Sequence, residues 1–154
     1  MPKYNEKKIL YFTPKQLFDL VSDVDSYHEF LPWCLASRVT KREKNILIGD
    51  LIVGFKLYRE KFSSKVVLFE PNKINVDYIK GPFKHLNNTW EFKSLNNGQH
   101  TEVSFFIDFQ FKSKLLETLI GTLFHDAVKK MIFAFEKRAE EIYSIGNQGD
   151  GSVD

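Results

Sequence analysis

Arg59 and Glu60 stand side by side in an apolar setting, between Tyr58 and Phe62. Adjacent residues of a strand point to opposite faces, so one of the two looks into any interior that the strand encloses. An inward carboxylate or guanidinium needs a partner or, for the carboxylate, protonation, and the polar head of a ligand is one such partner. Both residues are therefore candidate polar anchors, with alternation tilting toward Tyr58, Glu60, Phe62 and Ser64 as the inward set. The competing reading is a cross-strand ion pair on the solvent face. A catalytic acid or base would come from Glu60, Asp108 or Tyr58, and no pattern around any of them singles it out.

Other chemistry is sparse. His28, His85, His100 and His125 fall at no metal-ligand spacing, and there is no HExxH. Cys34 is the single cysteine, which excludes an internal disulfide. Without an adjacent basic cluster to form a thiolate, it reads as a buried structural thiol. Gly-rich phosphate loops and a GxSxG elbow are absent. No metal and no resident cofactor are expected.

Two apolar clusters stand out. Phe30-Leu31-Pro32-Trp33-Cys34 lies at a helix-to-strand junction, and Gly81-Pro82-Phe83-Lys84-His85-Leu86 follows a Gly-Pro turn. Each either plugs one end of a core or forms a lip that touches a membrane. Pro32, Trp33, Pro82 and Phe83 are the candidate gate and membrane-contact residues.

The elements that position these residues are readable from periodicity. Residues 3–11 alternate weakly and read as an edge strand. Thr13-Pro14-Lys15-Gln16 is a helix start, with Thr as cap, Pro at the first position and Gln closing a capping box. Leu17, Phe18, Leu20 and Val21 follow at helical spacing. A second brief helix from Asp25 is stopped by Pro32. Strands are predicted over 34–43, 46–54, 56–70, 73–80, 84–95 and 100–112, separated by turn signals of which Asn97-Gly98 is the strongest. In the last strand Val103, Phe105, Ile107, Phe109 and Phe111 share one face. Residues 114–144 then carry a helical apolar stripe, with Gly121 inside it as a site of bending or close approach.

Short-linked strands favour an antiparallel meander with one buried face, and only the C-terminal helix is long enough to cover it. The predicted class is α+β, a helix grip: about seven antiparallel strands curved around a long C-terminal helix, with two short helices after the first strand. Its interior is lined by Phe30, Leu31 and Trp33 from the junction, and by Phe55, Tyr58 and Phe62 from the central hairpin. Trp90, Phe92, Phe105, Ile107 and Phe109 come from the last two strands, and Leu116, Leu119, Leu123 and Phe124 from the helix.

Bulk composition sets the frame. The 154 residues fit one domain, over 1–145, followed by a polar, Gly-rich tail at 146–154 that reads as disordered. Aromatics are abundant, with 15 Phe, 6 Tyr and 2 Trp, enough to fill a core or line a cavity. A net charge of +2 is too balanced to argue for DNA. No apolar run spans a bilayer, and the polar N-terminus lacks a signal-peptide core. A cytoplasmic protein, touching the inner face of the cell membrane at most peripherally, is the simplest reading.

At this point the residues carry a resemblance. Tyr27 through Cys34 with Ser37 and Val39, Val53-Gly54-Phe55, and Arg59 through Val66 resemble the coenzyme Q-binding protein family. So do Gly81 through Leu86 with Trp90 and Phe92, then Asp108, Phe109, Phe111, Leu115, Leu116, Phe124, Met131, Ala134, Phe135, Arg138 and Ala139. That family is START-like, within the polyketide cyclase/dehydrase superfamily. The resemblance implies a non-enzymatic protein that binds ubiquinone or a related isoprenoid lipid in support of respiration or ubiquinone biosynthesis. It also overlaps the bacterial ribosome association toxins, which implies the large ribosomal subunit as an alternative partner. The near-neutral charge does not help that alternative, although Lys41, Arg42 and Lys44, or Lys3, Lys7 and Lys8, form local basic patches. A cyclase or aromatase activity is the third class.

Overall fold

The computed structural model describes residues 3–55, 57–120 and 123–144. β1 (Lys3–Leu10) leads into α1 (Pro14–Ser22). The Thr13 hydroxyl accepts from the Gln16 amide at 3.1 Å, and the Gln16 side chain accepts from the Thr13 amide at 2.9 Å. This closes the expected capping box, which removes two orphan donors. The second short helix is a 3-10 segment, Val24–Glu29, tighter than the helix expected there and ended before Pro32. Six strands follow: β2 (Cys34–Arg42), β3 (Ile46–Phe55), β4 (Tyr58–Phe69), β5 (Lys73–Lys80), β6 (Phe83–Leu95) and β7 (His100–Phe111).

The seven strands form one antiparallel sheet in the order β1-β7-β6-β5-β4-β3-β2. β1 and β2 are its edges, and α1 with the 3-10 segment carries the chain between them. Register shifts in β2, at Ser63/Ser64 and at Phe83/His85 add bulges, which bend strands and help the sheet to curl. On β7 every second residue from Thr101 to Phe111 is buried, the alternation expected from the sequence. The β6–β7 turn holds Asn96, Asn97 and Gly98 at positive φ, a conformation that Asn and Gly tolerate best.

The C-terminal helical stretch fills the concave side as two helices, α2 (Lys114–Ile120) and α3 (Phe124–Ala139), ending in a π turn, Glu140–Ser144. Sequence periodicity predicts one helix there. Gly121 and Thr122, between the two, lie outside the described residues, as does the 146–154 tail. The far half of α3 is tied down: Lys8 Nζ meets Glu136 Oε1 at 2.6 Å and Arg138 Nη2 meets Glu29 Oε1 at 2.7 Å. Tyr143 Oη donates to the Gln16 carbonyl at 2.7 Å. Phe135 joins the layers, its ring edge-on to Tyr27, Phe30 and Trp90 at 5.2–5.3 Å between centroids.

Candidate ligand-binding site

Between the concave face and α3 lies a cavity of about 540 Å³, within the range of roughly 300–1,000 Å³ usual for small-molecule sites. Val66, Ile74 and Trp90 of the sheet, with Val24, Tyr27 and Phe135, close its deep end. The other end opens among the Pro32–Trp33 turn, the β3–β4 hairpin, the Gly81–Pro82 turn and the start of α3 at Leu123 and Phe124. The lining is overwhelmingly apolar. Its polar members are Ser64, Asn88 and Tyr58 on the sheet, Tyr27 on the 3-10 segment, whose hydroxyl donates to the Val21 carbonyl, and Asp126 and Lys130 on α3.

Several expected lining residues come together here: Leu31, Trp33, Tyr58, Phe62, Trp90, Phe105, Ile107, Leu123 and Phe124. Others do not face the space. Phe30 packs on Phe135, with the Arg138 guanidinium 5.3 Å above its ring. Phe92 is buried against Phe18 of α1, because β6 extends past the cavity to where α1 covers the sheet. Phe109 lies beneath Phe124, whose ring stacks on it at 3.7 Å. Leu116 packs half-buried on the core, while Leu119 of the same short helix is exposed. The side chain of Phe55 lies outside the described residues.

The polar anchors resolve by alternation. Tyr58, Glu60 and Ser64 face inward, while Arg59 is exposed on the outer side, so Arg59 is not an interior anchor. Glu60 does not line the cavity; its Oε2 accepts from the Tyr58 hydroxyl at 2.9 Å. Burial and that bond push the Tyr58 phenol up to about 12, so it stays protonated at neutral pH. Asp108 sits on the outer face, 3.3 Å from His85 Nε2, away from the interior where an enzyme would need it. Cys34 is buried, and desolvation pushes its thiol up to about 11. Among the described residues no three His, Cys, Asp or Glu gather as a metal site.

The second gate cluster needs correction. Pro82 and Phe83 are buried, Phe83 at 7% exposure, not displayed on a lip. The cause is Gly81, at φ +146°, where an added Cβ would sit 2.5 Å from Phe62 Cβ and 3.0 Å from the Lys61 carbonyl. Only glycine allows that approach, and it folds the turn onto β4 so that Phe83 packs among Phe62, Tyr78, Phe109 and Phe111. Pro32 is exposed and Trp33 half-exposed at the mouth, with the Trp33 carbonyl accepting from Gly54 N at 2.9 Å. Leu123 is an exposed member of the lining, and Leu57, Leu115 and Leu119 are exposed apolar residues outside it; Leu57, 100% exposed, was not picked out in the sequence. Asn88 was missed as a site residue, and Ser64, read as inward-facing, was not named as part of the site. The signal for Asn88 was a polar residue in the inward series Leu86, Asn88, Trp90, Phe92.

The basic patches are partly neutralised: Lys41 pairs with Glu43 at 3.1 Å, Arg42 with Asp25 at 3.8 Å and Lys8 with Glu136 at 2.6 Å. No described helix is long and apolar enough to cross a membrane.

Comparison with known proteins adds the following. Residues 11–136 match the family model described as polyketide cyclase/dehydrase and lipid transport. The chain is 42% identical over 146 residues to the ribosome association toxin RatA of Rickettsia prowazekii, covering 92% of this chain and 99% of that one. It is 34% identical to the mitochondrial coenzyme Q-binding protein COQ10 homolog B of Xenopus laevis, over 92% of this chain and 59% of the relative. A START superfamily protein from Mycobacterium smegmatis superposes with a TM-score of 0.78 at 16% identity, covering 91% of this chain and 98% of that one. At that identity the likeness speaks for the helix-grip fold.

Proposed function

The chain belongs to the polyketide cyclase/dehydrase and lipid transport family, and on that premise we propose that it binds ubiquinone or a closely related isoprenoid lipid in the central cavity. It does so without a covalent step, as a carrier or chaperone supporting respiration or ubiquinone biosynthesis. The observation that carries this reading is the cavity itself, about 540 Å³, apolar, open at one end and holding few polar groups. A tail in such a space gains about 0.8 kcal/mol for each buried CH₂ group, so apolar length sets affinity and a few polar contacts set specificity. The relative named as a coenzyme Q-binding protein supports the same ligand class.

Organic extraction of protein purified from its host membrane-containing lysate, followed by mass spectrometry, is expected to release a stoichiometric quinone or prenyl lipid. An extract with no lipid, from protein that also fails to take up ubiquinone from vesicles, would refute the reading. A second function is favoured by the 42% identical relative named as a ribosome association toxin. That reading expects lipid-free protein to co-sediment with large ribosomal subunits.

Loading requires contact with the lipid source, and the mouth is built for it. Pro32 and Leu123 of the lining are exposed, and Leu57, directly before the lining residue Tyr58, is fully exposed with Arg59 close after it in sequence. Exposed apolar side chains with Arg59 and Lys130 nearby suit transient contact with a membrane surface from the cytoplasm. Leu57→Asp, at a position with no packing to lose, is expected to reduce flotation with phosphatidylglycerol-containing liposomes several-fold while the melting temperature holds. Undiminished flotation would remove the rim from the loading route.

A further inference from the structure

Ser64 is 6% exposed, lines the cavity, and its Oγ has no hydrogen-bond partner. A buried hydroxyl left unpaired is unfavourable, and such groups in native proteins call for an explanation. Its neighbours offer it none. Along β4 it lies between the apolar Phe62 and Val66; across the strands it faces Gly49 and Tyr78. Gly49 has no side chain, and Val24 packs so close that an added Cβ there would lie 3.1 Å from Val24 Cγ1. The Tyr78 hydroxyl is engaged with the Phe83 amide, accepting from it at 3.1 Å. Two strands away Asn88 lines the same cavity, its Nδ2 committed to the Phe106 carbonyl at 2.8 Å and its Oδ1 left as an acceptor.

We propose that Ser64, seconded by Asn88, is the headgroup subsite: the Ser64 hydroxyl donates to a ring carbonyl or ether oxygen of the bound lipid, which enters head first. This rests on the lipid-binding reading above. Ser64 lies six residues into β4 from Tyr58, about 20 Å at roughly 3.3 Å per residue, so the head sits deep and the tail runs out past Phe62, Leu123 and Trp33. The reverse orientation is disfavoured by the groups at each end. It would press a hydrocarbon tail against a bare hydroxyl and set the head beside Tyr58 and Glu60, which already satisfy each other, and beside Asp126 and Lys130, which are exposed to water without a ligand. Asn88 Oδ1 accepts from a ring hydroxyl, so the reduced quinol is accommodated as well as the quinone.

Trp33 and Trp90 both line the cavity, so quenching of their fluorescence reports occupancy. The test titrates wild type, Ser64→Ala and Ser64→Thr with decylubiquinone and with decylbenzene, which keeps the tail and a ring but no oxygen. Ser64→Ala is expected to weaken decylubiquinone binding about tenfold, the loss of one hydrogen bond, and to leave decylbenzene binding within twofold. Ser64→Thr keeps the hydroxyl and retains the preference for the quinone. The ligand-free Ser64→Ala protein is expected to melt no lower than wild type, since an unpaired hydroxyl has been removed. Equal losses for both probes, or unchanged quinone affinity in Ser64→Ala, would overturn the subsite while leaving the cavity as the lipid site. Failure of wild type to bind either probe would overturn the subsite together with the function on which it rests.

Discussion

Val76→Trp is expected to weaken lipid binding about fifty-fold while the protein stays folded. Val76 sits half-buried on β5, lines the cavity, and lies opposite Val66 on β4 and Asn88 on β6. An indole there enters open space, so the strain of about 1–3 kcal/mol that follows overpacking of a filled core is largely avoided. Aromatic residues also suit strands. Each CH₂ group of ligand displaced forfeits about 0.8 kcal/mol; three displaced groups correspond to about 2.4 kcal/mol, roughly fifty-fold in affinity. Calorimetric titration with a short-tailed ubiquinone measures the loss, and thermal unfolding checks the fold. Binding that persists within twofold of wild type would place the lipid elsewhere on the molecule.

Phe109→Ala carries the largest expected effect on stability. Phe109 is 0% exposed, and its ring meets Phe83 at 6.1 Å, Phe111 at 5.5 Å and Phe124 at 3.7 Å between centroids. Removing such a ring from a packed interior costs about 3–5 kcal/mol, a large share of the roughly 5–15 kcal/mol that holds a domain together. The stack with Phe124 seats the first turn of α3 on the sheet, so the truncation also loosens the helix beside the cavity mouth. Urea unfolding monitored by circular dichroism is the measurement, and a loss below about 1 kcal/mol would show that the aromatic cluster does not anchor α3. The two substitutions separate the roles of neighbouring apolar residues, because Val76 borders empty space while Phe109 borders other rings.

Strand limits were largely legible because β7 and its neighbours alternate cleanly and the turns between them carry Asn, Gly and Pro. The capping box at Thr13–Gln16 is a purely local device, and it forms as its residue types dictate. The helical stretch at the C-terminus was legible as an apolar stripe, and α2 (Lys114–Ile120) and α3 (Phe124–Ala139) both lie along it. The inward side of β4 was a near-even choice in sequence. Val66 and Ser64, buried, and Arg59, exposed, decide it, because a strand has one concave neighbour and a one-residue shift exchanges its faces.

The cavity could be anticipated as a space but not as a particular set of walls. Phe92, Phe105, Phe109 and Phe124 have one chemistry in sequence, yet Phe92 packs under α1, Phe109 hides beneath Phe124, and Phe105 and Phe124 face the void. Phe83 was misplaced because the effect of Gly81 depends on how near β4 passes, a distance between segments about 20 residues apart. Periodicity and turn chemistry act over a few residues, so the chain by itself determined the order of elements, the apolar faces and the absence of disulfide chemistry. Which apolar residues fill the core, which border the hollow, and that Ser64 looks into it unpartnered were decided by the curl of the sheet against α3, where contacts join residues distant in sequence.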